Sequence, residues 1–234
     1  PLREGCNEIT LQSQRADAEA QRAKEQEEKA LTEAALAQAV KDFLQTKLLG
    51  QADMRNQAED LLQLGRSAAE ATPNPTIREL LDRAVVELAP DRINENFPEQ
   101  FIVQSEILRN VGDIYRQFGL YDQAIGLLQR AADLRTEHRG ADHPATLRAL
   151  DDLAVAYHDA GRLADAIQLH EQVGKARTAL LGPEHKDTLL TLGNLAIDYY
   201  AAGRLQESLR LLKQIGAAKE RTLGADDRET LTTL

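Results

Sequence analysis

Two stretches of this chain, residues 140–163 and 182–205, carry nearly the same sequence at a spacing of 42 residues. They read GADHPATLRALDDLAVAYHDAGRL and GPEHKDTLLTLGNLAIDYYAAGRL. Six positions keep this spacing through three copies: Gly119, Gly161 and Gly203; Gly140, Gly182 and Gly224; Thr146, Thr188 and Thr230; Tyr115, Tyr157 and Tyr199; Leu108, Leu150 and Leu192; and Val111, Leu153 and Leu195. A fixed period of this length is typical of a unit that cannot bury both of its faces alone and is therefore stacked on its neighbours.

Each copy is predicted to form two antiparallel helices, A and B. In the second copy, the apolar residues that follow helical spacing are Leu147, Leu150, Leu153, Ala154 and Tyr157. Gly161 then ends helix A and Gly182 ends helix B, because glycine readily adopts the left-handed conformation that closes a helix. The helix pairs are predicted near 99–138, 144–181 and 186–223. Small residues that let A and B approach closely are Gly112, Ala154, Ala196, Ala124, Ala166 and Ser208.

The composition favours an all-α protein and argues against several classes of partner. Ala, Leu, Gln, Glu and Arg dominate, and these are strong helix formers. The net charge of −10, without a block of Lys or Arg, argues against nucleic acids and against an anionic membrane surface. The sequence has no apolar run of the roughly 18 residues that a membrane-spanning helix needs.

The chain begins at Pro1 rather than Met, so we expect a fragment of a longer protein. We expect no signal peptide within the given residues. The single cysteine, Cys6, cannot form an intrachain disulfide and agrees with a reducing compartment. We expect the chain to lie in the cytoplasm or in the soluble part of a membrane-anchored protein.

The spacing of small and aromatic residues within each copy resembles the tetratricopeptide repeat. A small residue is followed by Tyr three residues later, by Gly four residues after that and by Ala or Ser five residues further on. The 42-residue length and the linker G-x-D/E-H-P-x-T are similar to the kinesin light chain type of this repeat. The linker reads GADHPAT at 140–146, GPEHKDT at 182–188 and GADDRET at 224–230, where Asp227 replaces the His. The resemblance covers about residues 99–234 and implies an all-α, right-handed superhelical solenoid of antiparallel helix pairs.

Three repeats are predicted on this resemblance, at about 99–140, 141–182 and 183–224. The string TLTTL at 230–234 matches TLRAL and TLLTL of the earlier copies. We therefore expect it to be the start of a truncated fourth repeat.

The residues before the repeats form two predicted segments. Residues 1–50 are expected to contain a long charged helix, because the stretch 15–40 holds neither Gly nor Pro. Its weak heptad pattern leaves two roles open, a coiled coil or a solvated spacer. Residues 51–98 are predicted to form a helical N-terminal cap of the solenoid, with one helix that begins at Thr76 and a loop at 89–98.

Part of this region is also similar to a segment of large bacterial serine/threonine kinases that carry such repeats. The strings AVKDFLQTKLLGQAD, TIRELLDRAVVEL and FPEQFIVQSEILRNVGDIYRQFGLYDQA follow the order found downstream of the kinase domain. The resemblance implies a regulatory segment of a signalling kinase. The chain itself carries no Gly-rich phosphate loop, no H-R-D and no D-F-G.

One group of ionisable residues fits a metal site by residue type, and it comprises Glu137, His138, Asp142 and His143. The same linker recurs with His185 and then without a His, so we expect it to shape a turn and to bind no metal. His170 takes the place of Leu128 and Leu212 and is expected to be a half-buried packing residue. Nucleophile motifs of hydrolases are absent, so we expect neither an enzyme nor a cofactor.

The A helices are expected to line the concave face of the superhelix, where tetratricopeptide proteins commonly hold a peptide. The predicted lining residues are Glu106, Arg109, Asn110, Asp113, Arg116, Arg148, Asp151, Asp152, Val155, His158, Asp159, Leu190, Asn194, Ile197 and Tyr200. The light chain resemblance implies that the Asn of an N-L-A string holds the peptide backbone. Asn194 matches that Asn, Asn110 matches it less fully, and Asp152 replaces it in the second copy.

These observations predict a non-enzymatic module that binds a protein or a peptide, and no nucleic acid or membrane, in the groove of the A helices. Two alternatives stay open. The chain could be a structural segment that forms a homodimer through its N-terminal helix. It could also be a sensor of small peptides whose groove closes on its ligand.

Overall fold

The computed structural model describes residues 88–223 continuously and, before them, residues 34, 38, 41, 42, 79, 82, 85 and 86. The chain divides into two units, Pro1–Thr76 and Ile77–Leu234, and most described residues belong to the second. All regular structure in the described residues is helical, which confirms the predicted all-α class. The helices with complete bounds are α1 (Pro90–Asn96), α2 (Phe101–Gln117), α3 (Tyr121–Arg139), α4 (Pro144–Asp159), α5 (Leu163–Leu181), α6 (Lys186–Ala201) and α7 (Leu205–Leu223).

Three helix pairs follow the predicted repeats. The A helices are α2, α4 and α6, and the B helices are α3, α5 and α7. Their outer bounds agree with the predicted pairs to within two residues.

The segment before the first pair differs from the prediction, because residues 89–98 do not form a loop. Helix α1 begins at Pro90 and buries Ile93. Proline is favoured at the first position of a helix, where its missing N–H is not needed. The prediction of a loop at 89–98 was therefore wrong, because Pro90 begins a helix here and does not interrupt one.

The linker histidines His143 and His185 are the N-cap residues of the A helices α4 and α6. Nδ1 of His143 accepts a hydrogen bond from the backbone N–H of Ala145 at 3.1 Å, and Nδ1 of His185 accepts one from Asp187 at 3.1 Å. Each imidazole therefore satisfies one of the N–H groups that a helix leaves unpaired at its start. The two histidines thus shape the linker turn by capping the first turn of the following A helix.

The turn from helix A to helix B depends on a glycine. Gly161 has a φ of 74°, in the left-handed region that other residues rarely adopt, and its N–H donates to the carbonyl oxygen of His158 at 2.8 Å. Within the first repeat, Gly112 has a different role, because a Cβ there would lie 2.9 Å from Cγ of Leu128. This confirms that a small residue lets α2 and α3 approach closely.

Successive repeats bury apolar side chains at the junctions between them. Ile125 and Leu128 of α3 pack against Leu153 and Ala156 of α4 in one apolar cluster. In the next junction Ile167 of α5 packs against Leu195 and Tyr199 of α6. Helices α3 and α5 thus each contact the A helix of their own repeat and that of the next one, and α7 contacts α6 of its own repeat. Successive A helices also contact each other.

The predicted helix in residues 1–50 and most of the cap at 51–98 lie outside the described residues, as does the fourth repeat. In the first region, residues 34, 38, 41 and 42 are helical. In the second, residues 79, 82, 85 and 86 are helical. No helix among the described residues combines the length and the apolarity that crossing a membrane requires.

We predict that Leu153→Ala lowers the free energy of unfolding by about 2–5 kcal/mol, because it leaves a cavity in the junction between two repeats. Leu153 is 1% exposed. The matched control is Leu180→Ala on α5, where the leucine is 53% exposed and the change should stay within about 0.5 kcal/mol. Urea denaturation followed by circular dichroism measures both variants, and equal losses would contradict the packing described here.

The His143 cap should make stability depend on pH. Burial lowers the pKa of His143 below its ordinary value of 6.5, helped by the charges of Arg139 and Arg135. Because the folded chain takes up this proton less readily than the unfolded chain, the contribution of the cap is present above pH 6.5 and is lost as the pH falls.

We therefore expect His143→Ala to lose about 1 kcal/mol of unfolding free energy at pH 8 and less at pH 5. His143→Ser is the control, since a serine caps a helix without titrating in this range. Urea melts at both pH values measure the difference. A loss from His143→Ala that is the same at pH 5 and pH 8 would show that the imidazole is not the cap.

Candidate functional site

The predicted groove residues lie along the A helices of the three repeats. Side chains three or four positions apart share one face of a helix. On α4 this places Arg148, Asp152 and Val155 in a row, and on α6 it does the same for Leu190, Asn194 and Ile197. We call the surface formed by these rows and by the corresponding residues of α2 the A-helix face.

Two ion pairs connect α2 to α4 across this face. Nη1 of Arg109 lies 3.2 Å from Oδ2 of Asp152, and Nη1 of Arg116 lies 2.6 Å from Oδ2 of Asp159. Both pairs join residues that are 43 positions apart in the sequence, so each links neighbouring repeats. The structure thus brings together four of the residues that were predicted to line the groove.

Acidic residues of α2 complete these pairs. Glu106 binds Arg109 and also Arg135, whose Nη2 lies 2.6 Å from Oε2 of Glu106. Asp113 binds Arg116 at 2.7 Å. Burial raises the pKa of Glu106, but hydrogen bonding and charge from Arg109, together with Arg135, outweigh burial and leave this pKa below its ordinary value.

Asp152 responds differently to the same arginine. Burial raises the pKa of the Asp152 carboxyl, and the opposing charge of Arg109 does not cancel this effect. Apart from Arg148, the charged residues of the A-helix face in the first two repeats are paired with one another. A ligand that brings its own charge to this part of the face must compete with partners that are already in place.

Asp151 does not line the groove, and this part of the prediction was wrong. Its side chain is buried, with 6% of the residue exposed. Oδ1 accepts a hydrogen bond from Oγ1 of Thr191 at 2.8 Å, and Oδ2 lies 3.6 Å from Nη1 of Arg177. Adjacent residues of a helix point in different directions, so Asp151 faces the third repeat while Asp152 stays on the A-helix face.

His158 and His170 meet at a carboxylate that the sequence analysis missed. Asp198 of α6 is 1% exposed and binds Nδ1 of His158 at 2.7 Å and Nδ1 of His170 at 2.6 Å. His170 is buried rather than half-buried, with 1% of the residue exposed, and this bond gives its ring a polar partner there. The repeat does contain a signal for this contact. Asp198 and His170 are polar, whereas the equivalent residues 42 positions earlier, Ala156 and Leu128, are apolar.

The third repeat offers a different surface. Leu190, Ile197 and Tyr200 of α6 are 58%, 56% and 69% exposed. Between them lies the half-buried Asn194, whose amide makes no hydrogen bond within the part of the chain that the structure describes. In contrast, the amide of Asn110 donates to the carbonyl oxygen of Glu106 at 2.8 Å.

Two more of the predicted groove residues lie on α4, and the group of ionisable residues at 137–143 lies at the end of α3 and in the linker before α4. Arg148 is exposed and Val155 is half-buried on α4. The ring of His138 stacks on Phe101 with the ring centroids 4.2 Å apart. Among the residues that the structure describes, no group of three His, Cys, Asp or Glu side chains is arranged to hold a metal ion.

The chain was compared with protein families and with known structures. Tetratricopeptide repeat profiles match residues 103–176 and 188–229. A comparison with curated proteins returned no match.

Similar structures are those of kinesin light chain-like repeat proteins. A crystal structure of a Podosopora anserina protein, described as a kinesin light chain of nearly identical TPR-like repeats, is 24% identical, with a TM-score of 0.56 over 80% of this chain and 82% of that one. A variant of that protein gives a TM-score of 0.57 at 24% identity, over 81% of this chain and 82% of that one. The crystal structure of BtubC (BKLC) from P. vanneervenii is 14% identical, with a TM-score of 0.55 over 86% of this chain and 79% of that one.

The repeat profiles, the helix pairs and the structural likeness agree with one another. At these identities the likeness to solved structures concerns the fold alone. Residues 103–176 and 188–229 are therefore tetratricopeptide repeats by sequence. The helix pairs between residues 101 and 223 share the fold of the repeats in kinesin light chain-like proteins.

Proposed function

We propose that this chain is a non-enzymatic module that binds a peptide or an extended segment of a partner protein along the A-helix face. The observation that carries the proposal is the exposed surface of α6, where Leu190, Ile197 and Tyr200 are exposed on the helix that also carries Asn194. Tetratricopeptide repeats imply a protein partner, and this surface is where we place its contacts.

The chemistry of this surface suits a peptide. An amide side chain both donates and accepts hydrogen bonds, so Asn194 can pair with the N–H and C=O groups of an extended backbone. Contiguous exposed apolar groups gain free energy when a partner removes them from water. Tyrosine adds a large rigid ring with a polar tip, which is why it is frequent in the energetically dominant parts of interfaces.

The ion pairs of the first two repeats have a supporting role in this proposal. Arg109 and Arg116 are held by Asp152 and Asp159, so that part of the face offers shape rather than free charge. The exposed guanidinium of Arg148 lies on α4 and can contact a carboxylate or carbonyl group of the same peptide. The preferred ligand is then a segment with two or more apolar anchors and little net charge.

We place the module in the regulatory segment of a bacterial serine/threonine kinase. The support is the order of three strings, which resembles the segment downstream of such a kinase domain. In that setting the bound segment would belong to a protein that regulates the kinase or is recruited to it.

We predict that peptides selected from a random displayed library on the immobilised chain bind through α6. Ile197→Ala combined with Tyr200→Ala, and separately Asn194→Ala, should weaken a selected peptide by about tenfold or more, which corresponds to about 1.4 kcal/mol. Isothermal titration calorimetry gives the dissociation constants, and circular dichroism checks that each variant keeps its helices.

The matched control is Leu180→Ala, since Leu180 is as exposed as Ile197 but lies on the B helix α5. It should leave the affinity unchanged. Selected peptides that tolerate both changes on α6 and are lost with the change on α5 would place the binding surface elsewhere and overturn the proposal.

A further inference from the structure

Asp198 is a buried carboxylate that two imidazoles approach with the same ring nitrogen. Oδ1 lies 2.7 Å from Nδ1 of His158, and Oδ2 lies 2.6 Å from Nδ1 of His170. An ionised carboxylate has no proton to donate, so each Nδ1 must carry the hydrogen of its bond. In a neutral imidazole the other nitrogen is then bare and can only accept.

We infer that Asp198 is a positioning residue that holds His158 with its proton on Nδ1, so that Nε2 is offered to the groove as a hydrogen-bond acceptor. This rests on the proposed function, and it names the chemistry of the partner at this point. The group that meets His158 is an N–H donor of the bound peptide, from its backbone or from a Lys, Arg or Trp side chain.

The location of the three residues supports this reading. His158 is on α4 and partly exposed, while Asp198 is buried beneath it on α6. His170 approaches the second carboxylate oxygen from α5 and is itself buried. Asp198 therefore cannot turn away from His158 without also giving up His170.

The surroundings of His170 include two more charged groups. Its Nε2 has no hydrogen bond within the described residues and lies 3.8 Å from Oδ1 of Asp151. Asp151 is in turn 3.6 Å from Arg177. His170 thus lies between two carboxylates, and only the bond to Asp198 is short.

The neighbouring junction shows that stacking does not need these polar groups. One period earlier the positions of His170 and Asp198 hold Leu128 and Ala156, which pack in an apolar cluster with Ile125 and Leu153. Replacing a buried ionic group by apolar residues of suitable size is often neutral or stabilising. A buried pair of polar residues, His170 and Asp198, at positions where leucine and alanine suffice points to a role beyond packing, namely the orientation of His158.

The chain contains its own control for this assignment. Nδ1 of His143 and Nδ1 of His185 accept hydrogen bonds from backbone N–H groups, so these rings must carry the proton on Nε2 when neutral. One molecule therefore holds two histidines of each form, and a single spectrum distinguishes them.

The experiment records ¹⁵N resonances of the imidazole nitrogens in the free chain near pH 8, where an ordinary histidine is neutral. We expect His158 and His170 to be protonated on Nδ1, and His143 and His185 on Nε2. In Asp198→Ala the signal of His158 should lose the Nδ1–H signature, while those of His143 and His185 stay unchanged. A bare Nδ1 on His158, protons on both of its nitrogens, or no response to Asp198→Ala would overturn the inference.

A second variant guards against a loss of folding in Asp198→Ala, which leaves His170 buried without its acceptor. His170→Leu combined with Asp198→Ala installs the residues of the preceding junction, and it should fold and show the same change at His158. With a peptide selected as described above, this double variant should bind several-fold more weakly than the parent chain. Unchanged affinity would refute the contact with His158 while leaving the groove itself intact, so the two proposals fail separately.

Discussion

The structure depends on the burial of the B helices α3 and α5 against the A helix of the following repeat. Ile125 and Leu128 pack against Leu153 and Ala156 of the next repeat, and Ile167 packs in the same way against Leu195 and Tyr199. A single helix pair leaves such a face open, so stacking and folding are the same process here. This packing also places the A helices side by side, because an A helix that covers the B helix of the preceding repeat lies next to the A helix of that repeat.

That requirement explains which properties could be predicted from the sequence. The 42-residue phase, the glycines at the turns and the apolar spacing together predict the helix pairs, because all of these are local or periodic. Helix α1 was missed because a Pro can either interrupt a helix or begin one, and here Pro90 begins a helix that buries Ile93. Asp151 and His170 were misplaced for a different reason. Their positions depend on a carboxylate and a hydroxyl that the next repeat brings to them, at Asp198 and Thr191.

The A-helix face divides into two chemically different parts. In the first two repeats, arginines and carboxylates neutralise each other across the helices, and individual surface pairs of this kind contribute little stability, about 0–1 kcal/mol. They matter more for what they exclude, because they leave little free charge to attract a strongly ionic ligand. In the third repeat apolar side chains are exposed and Asn194 is unbonded within the described residues. A partner that follows the A helices would thus be anchored at α6 and aligned by the shape of α2 and α4.

The most direct test of this account is site-specific photocrosslinking of a selected peptide to the full chain. A photoreactive residue at Tyr200 reports on the exposed part of α6, and the same residue at Leu180 reports on a B helix with comparable exposure. The account predicts covalent capture of the peptide from position 200 and none above background from position 180. Capture from position 180 alone, or equally from both positions, would contradict it.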